Sequence, residues 1–185
     1  MSSTPTEARR RLFFALWPEP ALREALVRLS RRVVRGKGRA VAPDNLHITL
    51  AFLGWIEHER LPCLREAAGS VTAPRFELVL ERLGYWPGPR VLWAAPAEIP
   101  APLITLALGL QRALGACGWQ PESRPFSPHL TLARKARHRP KVTMVEPVRW
   151  PVERFCLVES TTDPEGARYE VLDCWALGGG GAGVG

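Results

Sequence analysis

Long apolar runs are missing from this 185-residue sequence, and none approaches the roughly 20 residues that a membrane-spanning helix requires. The first ten residues are polar and lack the apolar centre of a signal peptide. These two absences predict a cytoplasmic protein without membrane contact. Lysine is scarce as well, with three Lys against 22 Arg. Arginine is the better ligand for phosphate oxygens, although a codon bias toward Arg would give the same excess.

Potential metal ligands are few and widely spaced. The four cysteines form no close pair, and no signal peptide indicates an oxidising compartment, so we expect reduced, mostly buried thiols at Cys63, Cys117, Cys156 and Cys174. A zinc site on His47 and His129 would need further ligands, and the remaining His, Cys and carboxylates show no recognisable spacing. The sequence therefore predicts no metal site.

The composition that remains is that of a globular domain, with 46% hydrophobic and 23% charged residues. We expect one two-lobed domain over residues 11–177, a flexible N-terminus over 1–10 and a flexible glycine-rich tail over 178–185. A net charge of +7 favours a polyanionic partner, and charge by itself does not distinguish nucleic acid, a phosphorylated ligand and an anionic membrane surface. We expect the chain to be a monomer.

Hydrophobic periodicity predicts an α+β order of elements. Stripes at helical spacing mark helices within residues 22–33, 61–68 and 103–117. Alternating or β-branched runs predict strands at residues 11–17, 39–42, 46–53, 76–83, 90–95, 129–133, 151–160 and 167–177. Residues 84–89 are expected to form a hairpin turn and residues 134–141 a basic loop. Each half of the chain pairs one long helix with one strand of a repeated motif.

That motif is His47-Ile48-Thr49-Leu50-Ala51, which returns 82 positions later as His129-Leu130-Thr131-Leu132-Ala133. Residues two apart in a strand share a face, so each His and its Thr should point one way. Ile48, Leu50 and Phe52 should then point into the core. If the two strands meet at a cleft, two imidazoles and two hydroxyls surround a space that suits one tetrahedral phosphate.

Phosphodiester hydrolysis without a metal needs a base, an acid and donors to the phosphate oxygens. Imidazole titrates near neutrality and supplies the first two, while Thr hydroxyls donate without adding charge. Arg134 would add a guanidinium, but strict alternation places it on the face opposite His129 unless the strand twists or ends first. A single His-x-Thr is more often structural, and the repetition argues for a site. Of Phe13 and Phe14, one is expected in the core and the other is free to stack on a base.

Residues 11–16, 45–54, 124–134 and 157–160 resemble the RNA 2′,3′-cyclic phosphodiesterases, also called 2′-5′ RNA ligases, of the two-histidine phosphoesterase superfamily. The resemblance spans about residues 11–177. It implies a bilobal α+β fold of two pseudo-symmetric antiparallel lobes, with helices packed outside and the active site in the central cleft. It also implies opening of RNA 2′,3′-cyclic phosphate ends to 2′-phosphates without metal or nucleotide cofactor, and a weak reverse joining of RNA ends through a 2′-5′ linkage.

The resemblance further implies the roles of individual residues. His47 and His129 would be the acid and base, Thr49 and Thr131 the phosphate donors, Arg134 a further phosphate contact and Phe14 the base-stacking ring. Two other functions stay open: a phosphodiesterase acting on a small cyclic nucleotide outside RNA, and a non-catalytic module that binds RNA through its basic surface. Binding by charge alone does not need the repeated His-x-Thr, which argues against the second.

Overall fold

The computed structural model describes residues 9–36, 38–164 and 166–178. Most of the two segments expected to be flexible, residues 1–8 and 179–185, lies outside these ranges. Arg10, which we had assigned to the N-terminal segment, is the first residue of a strand, and its guanidinium binds Glu159 at 2.6 Å. Within the described ranges, no helix combines the length and the apolar character that crossing a membrane requires.

Nine strands and three α-helices are found in the described part of the chain. The strands are β1 Arg10–Leu16, β2 Arg39–Ala40, β3 Ile48–Ile56, β4 Phe76–Trp86, β5 Val91–Ala95, β6 Leu130–Arg134, β7 Met144–Val152, β8 Arg154–Asp163 and β9 Gly166–Ala176. The helices are α1 Pro20–Val34, α2 Leu61–Gly69 and α3 Ala101–Gly115. Each helix has a proline in its first turn, where a missing N–H is tolerated.

All strand pairs are antiparallel, in the order β7-β4-β5-β6-β3-β1-β8-β9, with β2 added to β6. We call β3, β1, β8 and β9 the first lobe, and β6, β5, β4 and β7 the second lobe. In the described part of the chain, the sheet passes from one lobe to the other through the single residue pair Ile48↔Leu130 between β3 and β6. The expected α+β fold of two antiparallel lobes is therefore confirmed.

The helices are exchanged between the lobes. Helix α1 comes from the first half of the sequence but contacts β6 and β7 of the second lobe, whereas α3 comes from the second half and contacts β3. The buried side chains of these helices and of the facing sheet form one continuous hydrophobic cluster. The pairing of helix and strand within each half of the sequence is thus not the pairing in space.

Strand β7 was missed because it contains Pro147 and Pro151. It lies at the sheet edge, where it pairs only with β4, and an edge strand tolerates residues that cannot donate to a ladder. The strand expected over residues 151–160 is instead the end of β7 and the start of β8. Gly84 was expected in a turn but lies within β4, opposite Trp93 of β5.

The expectation of reduced thiols was wrong. Cys63 of α2 and Cys117, which follows α3, form one disulfide, and Cys156 of β8 and Cys174 of β9 form another. Sequence separations of 54 and 18 residues gave no sign of either pairing. The partners become neighbours only through the contact between α2 and α3 and the register of β8 with β9.

Candidate active site

The two motif strands meet at the junction of the lobes. Because Ile48 pairs with Leu130 in an antiparallel register, His47 lies next to Thr131 and Thr49 next to His129. All four side chains line one cavity of about 170 Å³. The structure therefore brings together the four residues that the motif predicted to converge.

Both histidines are held by the same backbone contact. Nδ1 of His47 is 2.7 Å from the carbonyl oxygen of Asn45, and Nδ1 of His129 is 2.8 Å from that of Ser127. A carbonyl only accepts, so Nδ1 carries the proton in each ring and Nε2 of the neutral ring is an acceptor. His47 Nε2 lies 3.1 Å from Oγ1 of Thr49, which donates to it. Each neutral imidazole is thus oriented as a base.

Burial lowers the pKa of both histidines. The pKa of His47 is lowered from 6.5 to about 4, mainly by burial and in smaller part by the charges of His129 and Arg134, against the opposing effect of the Asn45 carbonyl. Burial also lowers the pKa of His129, again with a contribution from Arg134 and against the Ser127 carbonyl. Both rings are therefore neutral in the empty site at neutral pH. A phosphate anion between them raises both pKa values, since it favours the protonated form.

Aromatic rings surround His47. Trp17 stacks on its imidazole with ring centroids 5.6 Å apart, and the rings of Phe13 and Tyr169 lie at 4.9 Å and 5.2 Å. His129 is contacted edge-on by Trp86 at 4.4 Å. These rings cover part of each imidazole, which contributes to the desolvation that lowers the pKa of both histidines.

A β-bulge brings Arg134 to the cavity. Trp93 pairs with Thr131, but the preceding Leu92 pairs with Ala133, so Leu132 is an extra residue on β6. Leu132 and Ala133 are both buried, and alternation beyond them is shifted by one position. Arg134 therefore lies on the same face as Thr131 and lines the cavity with it.

The first motif has the same bulge. Ala15 pairs with Thr49 and Phe14 with Ala51, which makes Leu50 the extra residue on β3. Phe52, which alternation had placed in the core, is consequently 38% exposed and lines the cavity. Phe52 and Arg134 each follow their motif histidine by five positions, so they are equivalent residues of the repeat.

Arg11 and Ser160 also line the cavity, and sequence reasoning missed both. The Arg11 guanidinium lies 4.9 Å from the centre of the Phe52 ring, and its Nη1 is 3.4 Å from Ser160 Oγ. Arg11 gives the first lobe a guanidinium beside the histidines, as Arg134 does for the second. Positions 11 and 160 both lie in stretches that resemble the family, but neither belongs to the His-x-Thr repeat, because their side chains reach the site from the strands β1 and β8.

The base-stacking role assigned to Phe14 is wrong. Phe14 is fully buried on the opposite face of β1, with its ring against Phe155 and Trp175. The ring that β1 directs toward the cavity is that of Phe13, which is 4% exposed and packs against His47. Phe52 is the aromatic ring of the cavity with a substantial exposed surface.

Two imidazoles that face one phosphate-sized cavity, at the junction of two antiparallel lobes, define a two-histidine phosphoesterase. Among the described residues, no group of three or more His, Cys, Asp or Glu is arranged to hold a metal ion. The chain belongs to the 2′-5′ RNA ligase superfamily, whose family model matches residues 16–164.

Individual relatives agree with this membership. The chain is 37% identical over 172 residues to an RNA 2′,3′-cyclic phosphodiesterase of Escherichia coli, covering 91% of this chain and 97% of the relative. It is 38% identical over 186 residues to the protein of the same name from Thermus thermophilus, with 91% of each covered. Crystal structures of E. coli LigT in apo form and complexed with 3′-AMP superpose with TM-scores of 0.81 and 0.79, at 35% identity over 92% of this chain and 98% of theirs.

Proposed function

We propose that this protein hydrolyses the 2′,3′-cyclic phosphate at RNA ends to a 2′-phosphomonoester, without a metal ion, through acid and base catalysis by His47 and His129. The observation that carries the proposal is the Ile48↔Leu130 pair, which sets both His-x-Thr motifs around one cavity. The curated relatives named for this activity and the 3′-AMP complex of E. coli LigT support the same substrate chemistry.

The reaction divides the proton transfers between the two imidazoles. The neutral histidine accepts a proton through Nε2 from a water molecule as that water attacks phosphorus. The protonated histidine donates its Nε2 proton to the 3′-oxygen as the bond from phosphorus to that oxygen breaks. Acid and base catalysis of this kind accelerates a reaction by roughly 10²- to 10⁴-fold.

The charge that develops on the phosphate oxygens requires donors already in place. Thr49 and Thr131 supply neutral hydroxyls beside the two histidines, and Arg134 and Arg11 supply guanidinium groups from opposite lobes. Preoriented donors of this type stabilise the transition state more than water does, since they need not reorganise during the reaction.

The same geometry supports joining of RNA ends. If the 5′-hydroxyl of a second RNA replaces water, its oxygen attacks phosphorus, the bond to the 3′-oxygen breaks and a 2′-5′ phosphodiester forms. The acid and base keep their roles. We include this 2′-5′ joining of RNA ends in the proposal as a minor activity, because water competes with the 5′-hydroxyl for attack on phosphorus.

We also propose that the protein acts as a cytoplasmic monomer. One chain supplies every residue that we assign to the site, so the reaction needs no second subunit. The two disulfides are the observation against a cytoplasmic location, because reducing compartments keep thiols reduced. Alkylation of thiols in intact cells, followed by mass spectrometry of the four cysteines, decides between a reducing and an oxidising location.

The test uses an RNA oligonucleotide ending in a 2′,3′-cyclic phosphate, incubated with the protein in excess EDTA. We expect a product that alkaline phosphatase dephosphorylates and whose ³¹P spectrum is that of a 2′-phosphate. A 3′-phosphate product, or turnover that EDTA abolishes, contradicts the proposal. If a small cyclic nucleotide is opened and the oligonucleotide is not, the substrate lies outside RNA; if RNA is bound and never cleaved, the protein is a binding module.

A further inference from the structure

The catalytic cavity is the middle of a longer cleft. On one side it shares His47, Thr131, Arg134 and Tyr169 with a groove of about 300 Å³. We call this the basic groove, and its cations are Arg39, Arg134 and Lys135. On the other side the cavity shares Thr49, Phe52 and His129 with a groove of about 760 Å³. We call this the aromatic groove, and its rings are Phe52, Trp86, Trp119 and Phe126.

The two grooves differ in chemistry. Three cations and no carboxylate line the described part of the basic groove. The aromatic groove has one cation, Arg124, together with the carboxylate of Glu122. Guanidinium and ammonium groups bind phosphate oxygens, whereas aromatic faces stack on nucleobases. A nucleotide strand crossing the cleft therefore meets a phosphate site on one side of the histidines and a base site on the other.

The backbone beneath the basic groove is held rigidly. Lys135 has a left-handed conformation with φ of 54°, which is costly for a residue with a side chain. Hydrogen bonds keep it there: the Ala136 N–H donates to Arg90 O at 2.9 Å, and Tyr85 Oη donates to Ala136 O at 3.1 Å. An ordered backbone of this kind presents the lysine without a large loss of entropy on binding.

Strand β2 lines the other wall of the basic groove, and the segment before it packs closely against the end of β6. A Cβ atom on Gly38 would lie 2.8 Å from the carbonyl oxygen of Arg134, so only glycine lets the segment before β2 reach the end of β6. Across the groove, Asn45 Nδ2 donates to the Ala167 carbonyl at 2.6 Å and ties the motif segment to β9.

We propose that the basic groove binds the phosphodiester on the 5′ side of the terminal nucleotide, with Lys135 and Arg39 as its ligands, and that the terminal base lies in the aromatic groove. The inference rests on the proposed function and adds to it a direction for the RNA strand. The protein then prefers an oligonucleotide over a cyclic mononucleotide, because only the former has a phosphodiester to place there.

The experiment compares kcat/KM for three substrates: adenosine 2′,3′-cyclic phosphate, an adenylyl dinucleotide ending in a 2′,3′-cyclic phosphate, and the same dinucleotide with an uncharged methylphosphonate linkage. We expect the dinucleotide to exceed the mononucleotide by about 10- to 150-fold, in line with hydrogen bonds to a charged group. The methylphosphonate should lose most of that advantage.

Three variants test whether Lys135 is the source of the preference for the dinucleotide. Lys135→Asn keeps a residue that tolerates the left-handed backbone and should bring the ratio of dinucleotide to mononucleotide kcat/KM close to one. It should also reduce the slope of log kcat/KM against log salt for the dinucleotide by about 0.7. Lys135→Arg should retain the preference. Lys141→Ala removes the next lysine in the sequence, which does not line the groove, and should leave the ratio unchanged.

Three results overturn the inference: a wild-type protein without dinucleotide preference, a Lys135→Asn variant that retains it, or a preference abolished by Arg124→Ala instead. Hydrolysis of the mononucleotide by the wild type separates these results from failure of the proposed function. If the wild type opens neither cyclic substrate, the proposed function and this inference fall together.

Discussion

His47 and His129 make the same backbone hydrogen bond but lie in different surroundings. Phe13, Trp17 and Tyr169 enclose the ring of His47, and Trp86 contacts that of His129. The proposed catalysis needs one neutral and one protonated imidazole, whereas burial keeps both neutral in the empty site. Binding of the substrate anion favours protonation of one imidazole, because the anion raises the pKa of both rings. The substrate thus helps to set the protonation state that its own hydrolysis requires.

The pH dependence of kcat/KM follows from the lowered pKa values, since this parameter reports the free enzyme. A protonated acid becomes more abundant as the pH falls below 7, and the base is lost as the pH falls through its own pKa. With the pKa of His47 at about 4 and that of His129 also lowered, the maximum should lie below pH 6.5. A pH profile of cyclic nucleotide hydrolysis between pH 4 and 9 measures it, and a maximum above pH 7.5 contradicts the pKa assignment.

The same shift makes folding sensitive to acid. The pKa of folded His47 lies below its unfolded value of about 6.5, so the unfolded chain binds more protons between pH 4 and 6.5. The stability that neutral His47 contributes is complete above pH 6.5 and is lost as the pH falls toward 4. Urea unfolding at pH 7 and pH 5 should show a larger decrease for the wild type than for His47→Gln, and equal decreases would contradict this.

Phe14 and Phe52 provide a matched pair of aromatic substitutions. Phe14→Ala should lower the free energy of unfolding by about 3–5 kcal/mol, because it leaves a cavity in the core. Phe52→Ala removes a 38% exposed ring and should have little effect on stability. If the ring stacks on a base, Phe52→Ala should lower kcat/KM by about 5- to 150-fold, since such stacking contributes about 1–3 kcal/mol. Urea unfolding and kinetics on both variants check this, and the reverse pattern would restore Phe14 as the stacking ring.

At the scale of the elements, the two bulges explain both what the sequence predicted and what it did not. Strict alternation correctly put His47 and Thr49 on one face, because the bulge at Leu50 follows them. Beyond each bulge strict alternation failed. It placed Phe52 in the core, and it placed Arg134 on the face opposite His129. A bulge depends on the register with a neighbouring strand, here β1 for β3 and β5 for β6, and that register is not visible in a local pattern.

Gly84 shows the same dependence on a neighbouring strand. Its place in β4 leaves room for the indole of Trp93, which a Cβ atom would approach to within 2.0 Å. Gly84→Ala must displace Trp93 and should lower the free energy of unfolding by about 1–3 kcal/mol. Trp93 contacts Trp86, which contacts His129, so kcat should fall as well. Chemical denaturation measures the first effect, with Gly88→Ala as the control, because a Cβ atom there meets nothing within 4 Å. Equal stability of the two variants would contradict the packing described for Trp93.

At the scale of the molecule, the two lobes depend on each other. Among the described residues, one pair joins β3 of the first lobe to β6 of the second, and the groups that we propose as catalytic come from both sides of it. Helices α1 and α3 add a second connection. Helix α1 follows β1 of the first lobe in the sequence but packs on β6 and β7 of the second lobe, and α3 follows β5 of the second lobe but packs on β3 of the first. The net charge of +7 suits a nucleic-acid substrate at this scale but does not identify the reaction.

The disulfides stabilise this arrangement by restricting the unfolded chain. They span 54 and 18 residues, and loops of these lengths correspond to about 4 and 3 kcal/mol respectively. Reduction with a phosphine should therefore lower the urea midpoint strongly, and Cys63→Ala with Cys117→Ala should lower it more than Cys156→Ala with Cys174→Ala. Mass spectrometry of the purified protein checks the starting state, and four free thiols would contradict both bonds.

The central claim is that the two His-x-Thr motifs form one catalytic site, and substitution of both histidines tests it most directly. The measurement is kcat for adenosine 2′,3′-cyclic phosphate with the wild type, His47→Ala, His129→Ala and the double variant, each confirmed as folded by circular dichroism. Each single substitution should lower kcat by at least about 10²-fold, and the double variant should be little slower than either, because groups that act as a unit are not additive. Wild-type turnover in either single variant would contradict the claim.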